Sequence, residues 1–557
     1  MRAMAPVSTP PDPARSALRE MRESPGANAP PRASSELAAL LARFDLVVDH
    51  PPACHAGATA WLAAPGLDDP QLRDLEHLPF VTMDNDDSRD LDQALFIEAA
   101  ADGHVVWYAL ADASYYVRPG SALFAESLVR GASYYLPGLV VPMLPPSLSE
   151  GLVSLNEAVP RRALVFRMAL DATGEVTTVS LERARIRSRK KLSYRGVQLM
   201  WEGVEPFPEG DFKDSLLALR IVGAQRIALA EAQQVVRYQR VEVDVGVTPT
   251  DGFVAFEARR YETDRCNEQI SLLVNVEGAR LLARHVASAA TPADPADATN
   301  PALQAVFRVH PAPLPGTLKS FARMTKSIAS AHREPLLAWS SANESLAHWL
   351  ERIANLPLAL RGVVLALQRQ ALLLNQAAMF TAEPGLHYGV GAPCYARFTS
   401  PMREVVGIFT HKEALEIMGL SPAVDEASDE TTRTAVIVAA NRAKDVQHQL
   451  TKAANQFVIA DMLGADLALP VEARPRRLGT LVGLAPDRAY VVLDDPPLEL
   501  KIYARDLGTR PQLSTDASAL TIEREDRPAL TLLLGDRLTL VAGAYDATRD
   551  RFVLTLE

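Results

Sequence analysis

Five aspartates fall within nine residues of the segment VTMDNDDSRDLDQAL: Asp84, Asp86, Asp87, Asp90 and Asp92. So many carboxylates on one short loop repel each other, and the arrangement calls for a cation. Ligands that are all oxygen suit a hard ion such as Mg²⁺, Mn²⁺ or Ca²⁺. A calcium loop of the EF-hand type would use alternate positions from Asp84. Its sixth position, however, needs glycine and holds Arg89, and its twelfth needs glutamate and holds Leu95. Two readings stay open on local sequence: a solvated acidic turn, and a magnesium centre whose carboxylates clamp a phosphate and activate water.

A second reactive pattern is the basic run Arg183, Arg185, Arg187, Arg189, Lys190, Lys191 and Arg195, which contains no acid. Alternate arginines on a strand project to one face. Such a row can track a phosphate backbone, or it can simply be a solvated edge strand. Tyr134 and Tyr135 before Leu-Pro-Gly are either core aromatics near a turn or a base-stacking platform. Arg403, after Ser-Pro at the head of a helical pattern, is placed either to hold phosphate or as a surface residue. His310 and His387 read as structural hydrogen-bonders.

These residues need elements to position them. The 557 residues imply several domains. Residues 1 to 33, rich in Pro, Ala and Ser, read as a disordered tail without a signal-peptide core. Residues 34 to 78 read as a small helical segment. From Leu78 the texture turns β-rich, with HVVWYALADASYYV as one strand. From Gly196 to Ala287 it is mostly helical, with a strand pair near Gln239 to Phe256. Residues 290 to 301 read as a loop. Helical patterns cover Leu318 to Ser330, Leu346 to Ala354, Leu358 to Met379, Arg403 to Met418 and Thr431 to Leu463. Ser421 to Glu430 reads as a solvated acidic loop. From Pro470, five short alternating strands predict a small OB-type barrel over 470–557. Modules of this type can hold single-stranded nucleic acid on exposed aromatics and a basic groove, for which Tyr490, Tyr503, Phe552, Arg488, Lys501 and Arg505 are the candidates here.

Hydrophobic content of 48% and charged content of 22% are those of an ordinary globular chain. Cys54, Cys266 and Cys394 lie far apart, which argues against a zinc site and for reduced thiols. The most apolar stretch, Leu356 to Phe380, is broken by Arg361, Gln368, Arg369 and Gln370, so no membrane span is expected. The net charge of −11 argues mildly against a nucleic-acid binder, although a local basic channel can hide within such a sum.

At this point the motifs resemble a family. Phe80 to Leu95 is similar to the active-site loop of the RNB family, the exoribonuclease II/R group. WYALADASYYVRPGS (107–121), GASYYLPGLVVPMLPPSLSEGLVSL (131–155), IRSRKKLSYRGVQ (186–198), FRVHPAP (307–313) and HYGVGAPCYARFTSPMRE (387–404) resemble further family segments in the same order. The resemblance runs from about residue 80 to 460. It implies an α+β fold, an RNB catalytic core over 79–466 followed by the OB-type module. It implies a magnesium-dependent (Mn²⁺ possible in its place), processive 3′→5′ exoribonuclease that acts on single-stranded RNA, in the cytoplasm and as a monomer.

Matching motifs carry over Asp84, Asp90 and Asp92 as metal-binding and catalytic acids, with Gln93 as a fourth ligand. Arg403 becomes the arginine on the scissile phosphate and Tyr135 the stacking aromatic. Glu268, in RCNEQISLLVN, becomes a ribose contact, and Arg187 and Arg189 become RNA contacts. The chain departs from the pattern at three points. Gln93 stands where the family has an acid, Glu404 stands where it has a second arginine, and residues 34 to 78 read as helical where the family's N-terminal cold-shock barrels would be expected. Asp87 or Glu404 is a candidate for the missing negative charge. The alternative expectation is an RNA-binding protein of this fold with weak or lost catalysis; an unrelated metal-dependent hydrolase is a third.

Overall fold

The acidic loop hangs from the end of a short buried strand. In the computed structural model, which describes residues 31–238, 242–249, 252–290, 303–421, 426–525 and 527–557, the chain opens with helices α1 (Pro31–Arg43) and α2 (Pro52–Ala63). Strands β1 (Arg73–Asp74), β2 (Val81–Asp84), β3 (Gln93–Ala100) and β4 (Gly103–Ala111) follow. Then come α3 (Ala113–Tyr116), α4 (Ala122–Arg130), the hairpin β5 (Tyr134–Leu136) and β6 (Leu139–Val141), and strands β7 (Pro160–Asp171), β8 (Val176–Arg187) and β9 (Lys191–Ser193). Seven of these strands form one sheet in the order β1-β8-β7-β4-β3-β2-β9. The acidic residues 85–92 are the connection between β2 and β3, which pair antiparallel.

Strand β4 explains why this sheet reads as a nearly continuous apolar run. Val105, Trp107, Ala109 and Ala111 face one hydrophobic core, and Val106, Tyr108 and Leu110 face another. Covering both faces removes the polar side that an alternating strand would show. Helices α2 and α4 close the first core. The second is closed by α5 (Tyr194–Trp201), α6 (Lys213–Ala232) and α7 (Glu262–Ala290). The chain continues through the ribbon β10 (Val243–Val247) and β11 (Phe253–Glu257) and the pair β12 (Phe307–Val309) and β13 (Met379–Thr381). It also runs through α8 (Pro315–Ala331), α9 (Leu346–Ala354) and α10 (Arg361–Leu372), then α11 (Val405–Ile417) and α12 (Glu426–Leu467).

Helix α12 spans 42 residues. It places Val436, Ala439 and Ala440 in the first core and Val458, Ile459 and Leu463 in the core of the C-terminal module. Its contact with α4 depends on Gly131, at φ +76°, where a Cβ would lie 2.7 Å from the Ala439 carbonyl oxygen.

Several expectations need correction. The predicted strand HVVWYALADASYYV stops at Ala111, because buried Asp112 leaves the sheet to meet Arg183 at 2.7 Å and Arg162 at 3.3 Å. The predicted helix Leu358 to Met379 ends at Leu372 and the chain re-enters as β13. The acidic stretch Ser421 to Glu430 is not wholly a solvated loop. Asp429 is buried on α12, and its carboxylate meets the Lys412 ammonium at 2.7 Å, beside Glu413 at 2.7 Å and Glu416 at 2.8 Å.

The five C-terminal strands read from sequence form one sheet: β14 (Arg477–Ala485), β15 (Arg488–Leu493), β16 (Glu499–Tyr503), β20 (Arg537–Asp546) and β21 (Arg551–Leu556). Helix α13 (Ala504–Leu507) leads into three strands the sequence reading missed: β17 (Thr509–Leu513), β18 (Ala519–Glu523) and β19 (Leu530–Leu533). The larger sheet runs β16-β15-β14-β20-β21. Among the described residues no ladder joins its two edges, so the sheet is not closed by hydrogen bonds into the expected OB-type barrel. The tail expected over 1–33 lies, through residue 30, outside the described residues, as does most of the loop expected over 290–301. All three cysteines are buried and free. Among the described residues no helix is long and apolar enough to cross a membrane.

Lys412 is the cation on which three carboxylates depend, two of them, Glu413 and Asp429, on buried residues. Lys412→Ala is expected to lower unfolding stability by about 3–5 kcal/mol, the cost of leaving buried charge unpaired. Urea unfolding followed by circular dichroism measures it; a loss below about 1 kcal/mol would assign the cluster a surface-like role.

Candidate active site

Each end of the acidic loop is anchored differently. Asp84 closes β2, and its Oδ1 accepts hydrogen bonds from the Asn85 amide at 2.8 Å and the Ser88 hydroxyl at 3.0 Å. The middle of the loop is tied down by Lys191, whose ammonium donates to the Asp86 and Ser88 carbonyls. At the far end the Leu91 amide donates to Ser154 Oγ, and the Asp92 carbonyl accepts from the Ala111 amide at 2.8 Å. Asp92 is thereby drawn inside, with 1% of its surface exposed.

The segment TSPMRE comes to meet it. Asn275 of α7 accepts from the amides of Phe398 and Thr399 at 2.7 and 3.1 Å and donates to the Thr399 hydroxyl. Ser400 sits in the left-handed region at φ +65°, a conformation a non-glycine residue holds only when its surroundings fix it. The turn it makes sends the Met402 amide to Asp92 Oδ1 at 2.8 Å and the Arg403 Nε to Asp92 Oδ2 at 2.5 Å. The same Nε lies 4.0 Å from Asp90. Tyr135, exposed on the β5–β6 hairpin, donates its hydroxyl to Asp90 Oδ2 at 3.0 Å. Burial pushes the Asp92 carboxyl up to about 6, aided by the nearby Asp90 charge and opposed by Arg403. The Arg403 guanidinium is held fully charged by Asp92, with Asp84 and Asp90 also acting on it.

Asp84, Asp90, Asp92, Arg403 and Tyr135 therefore belong to one constellation. Its aspartates surround a guanidinium rather than a shared cage. Among the described residues the one group of three acids whose oxygens lie within 4.8 Å of one another is Glu413, Glu416 and Asp429, where Lys412 already stands. The donor set of the acidic loop fits a hard divalent ion in chemistry, being all carboxylate oxygen. Its countercharge is at present the arginine.

The other expected residues are engaged elsewhere. The Gln93 amide oxygen accepts from the Tyr108 hydroxyl at 2.5 Å and from the Ser271 hydroxyl at 3.4 Å, so the atom expected to ligate metal is turned to neutral donors. Glu404 does not face the aspartates. It is buried and paired with Arg397 at 2.9 Å and Lys444 at 3.0 Å. Glu268 pairs with Arg260 at 2.8 Å. Arg187 is bound to Glu76 at 2.6 Å, and Arg189 reaches the His77 carbonyl at 3.0 Å and Asp211 at 3.6 Å. Both guanidiniums are committed to partners within the fold. Asn275, Tyr108 and Lys444 escaped the sequence reading. Asn275 had a signal, a lone amide inside the apolar run SLLVNV.

A mixed sheet whose strand-end acidic loop faces an arginine-bearing turn defines a class of α+β protein with a carboxylate–guanidinium centre. The RNB domain matches residues 72–413, and the chain belongs to the RNB family. It is similar to ribonuclease R of Vibrio parahaemolyticus, 30% identical over 348 residues that make up 61% of this chain and 38% of that relative. It is likewise similar to ribonuclease R of Escherichia coli K12, 29% identical over 347 residues, 61% of this chain and 39% of that one. The match thus spans about two fifths of these curated relatives. Among solved structures, Mycoplasma genitalium RNase R in complex with ribose-methylated single-stranded RNA superposes with a TM-score of 0.80 at 20% identity, covering 95% of this chain and 78% of that one. Yeast Ssd1, described as a pseudonuclease, gives 0.60 at 15% identity, covering 83% and 54%.

The electrostatics of Glu404 set a pH dependence. Burial alone would raise its carboxyl, but Arg397 and Lys444 outweigh burial and hold it at about 2, below the ordinary 4.5. A depressed folded-state value stabilises the fold fully above pH 4.5, and that contribution is lost as pH falls toward 2. Glu404→Gln is expected to flatten the acid limb of stability in that window. Melting temperatures across the window, compared with the unaltered protein, check it.

Proposed function

We propose that the protein is a divalent-metal-dependent, processive 3′→5′ exoribonuclease that hydrolyses single-stranded RNA to nucleoside 5′-monophosphates, with Mg²⁺ as the ion and Mn²⁺ as a substitute. The observation that carries this reading is Arg403 held by Asp92 beside Asp90 and Asp84, in a chain of the RNB family. Asp84, Asp90 and Asp92 would hold the metal, which when bound supplies charge for the phosphate and activates water. Arg403 binds the scissile phosphate; its salt link to Asp92 fixes the guanidinium plane before substrate arrives. Water adds to phosphorus and the bond to the upstream 3′ oxygen breaks. A shortened strand ending in a 3′ hydroxyl is left, and the terminal nucleotide departs with its 5′ phosphate.

Tyr135 offers an exposed ring as a stacking platform that accepts any base. Its hydroxyl, bound to Asp90, sets the ring beside the acids. The C-terminal module is read as an OB-type single-strand binder, and the protein as a cytoplasmic monomer. Glu268 as a ribose contact belongs to the same reading. RNA contact by Arg187 and Arg189 would require them to leave their carboxylate partners.

A second reading has a specific observation in its favour. Gln93 brings no charge to the metal and its oxygen is occupied, and one structural neighbour is described as a pseudonuclease. On that reading the protein grips RNA without cutting it.

Incubation with 3′-labelled and 5′-labelled single-stranded RNA, with and without Mg²⁺, separates the two. Mononucleotide release from the 3′ end that stops with chelator supports the nuclease. Retarded, uncut RNA supports the second reading. Arg403→Lys is expected to lower the cleavage rate by about 10²–10³-fold, the scale for removing one preorganised electrostatic contact, while RNA is still bound. Tyr135→Ala is expected to weaken RNA binding by about 1–3 kcal/mol, the range for one base–aromatic stack.

A further inference from the structure

Beside the Arg403 turn lies a second charged group that the proposed chemistry leaves unused. Arg397 and Lys444 bind the Glu404 carboxylate, and Arg308 lies near enough to act on that charge. Two cations thus grip one anion in a half-buried setting, with Arg308 close enough to act on its charge. The Arg308 Nε is buried and has no hydrogen-bond partner among the described residues. The side chains of Arg397 and Lys444 stay 24% and 38% exposed, so the group opens to solvent.

The group is wired to the candidate active site by backbone and side chain. Glu404 follows Arg403 directly, and the Ser133 amide donates to the Arg403 carbonyl at 2.9 Å. Two residues on, the Tyr135 amide meets Gln447, one turn along α12 from Lys444. The charges of Arg397 and Arg403 act on each other.

We propose that Arg308, Arg397 and Lys444, held in place by Glu404, form a second phosphate-binding position for an RNA backbone phosphate neighbouring the one on Arg403. This rests on the reading of the protein as an RNA-binding member of its family. Glu404 is then a positioning residue. It orients two cations and keeps them from repelling each other while the site is empty, and an incoming phosphodiester supplies the second negative charge. Guanidinium and ammonium groups in such a half-buried corner bind an anion through charge-assisted hydrogen bonds.

The test is binding of a 5′-fluorescein oligouridylate by fluorescence anisotropy, in chelator so that no cleavage occurs, over a salt series. Lys444→Gln keeps a good helix former on α12. It is expected to bind about tenfold more weakly, the loss of one charge-assisted contact, with a salt slope shallower by ~0.7 for one lost phosphate contact. Glu404→Gln keeps an oxygen that can accept from Arg397 and Lys444 while removing the charge that competes with phosphate, and is expected to bind about three- to tenfold more tightly. A Lys444→Gln protein that melts earlier but binds with unchanged affinity and slope would make the group a structural staple and overturn the proposal, as would weaker binding by Glu404→Gln. Inorganic phosphate at millimolar levels that abolishes the difference between wild type and Lys444→Gln would assign the position to free phosphate instead of backbone. If wild type binds no oligouridylate, the RNA reading itself falls; binding that ignores Lys444 sinks only this inference.

Discussion

The geometry around the acidic loop depends on one contact, the 2.5 Å link from the Arg403 Nε to the Asp92 carboxylate. Asp92 is buried, and a carboxylate taken out of water is costly unless a cation and hydrogen bonds replace its hydration. The Met402 amide and the Arg403 guanidinium supply both from one turn. That turn exists only because Ser400 accepts a left-handed backbone and Asn275 pins the residues before it. Helix α7, the TSPMRE segment and the strand-end loop are thereby locked in one arrangement, and Asp90 and Tyr135 fall into place beside it.

Charge pairing organises the surroundings by the same rule. Asp112 gathers Arg183 and Arg162, Glu404 gathers Arg397 and Lys444, and Lys412 gathers three carboxylates. These groups stand at junctions between the sheet, α11 and α12 rather than within single elements. Buried pairs of this kind add little stability over an apolar replacement, but losing one partner is expensive. Each ties a residue of one element to a fixed position on another.

Local pattern made much of this legible. The acidic loop sits at the end of an apolar strand as the run VTMD followed by aspartates suggests, and the five C-terminal strands lie side by side in one sheet, without the hydrogen-bonded closure of the expected barrel. The misses have physical causes. Asp112 interrupts an apolar run because its partners Arg162 and Arg183 lie 50 and 71 residues away, a distance no local window spans. Asp429 looked solvated for the same reason, since its cation is on another helix. Strands β17 to β19 carry Pro511 and a scatter of polar residues that blur the period of two. The basic row from Arg183 to Lys191 looked like a phosphate track because the sequence displays its charges but hides Asp112, Asp74, Glu76 and Glu157, which the fold brings against them.

Helix α12 is about 63 Å long, from 42 residues at about 1.5 Å each. One continuous rod contributes side chains to the core beneath the sheet, to the charged group at Glu404, and to the core of the C-terminal strands. The hydrophobic interior of the C-terminal strands, built by residues such as Leu481, Val491, Leu500 and Ile502, is therefore completed by side chains of the helix. A chimera made by exchanging that module at the end of the helix would leave Val458, Ile459 and Leu463 facing a foreign surface, so a workable splice point lies inside the rod, upstream of these residues.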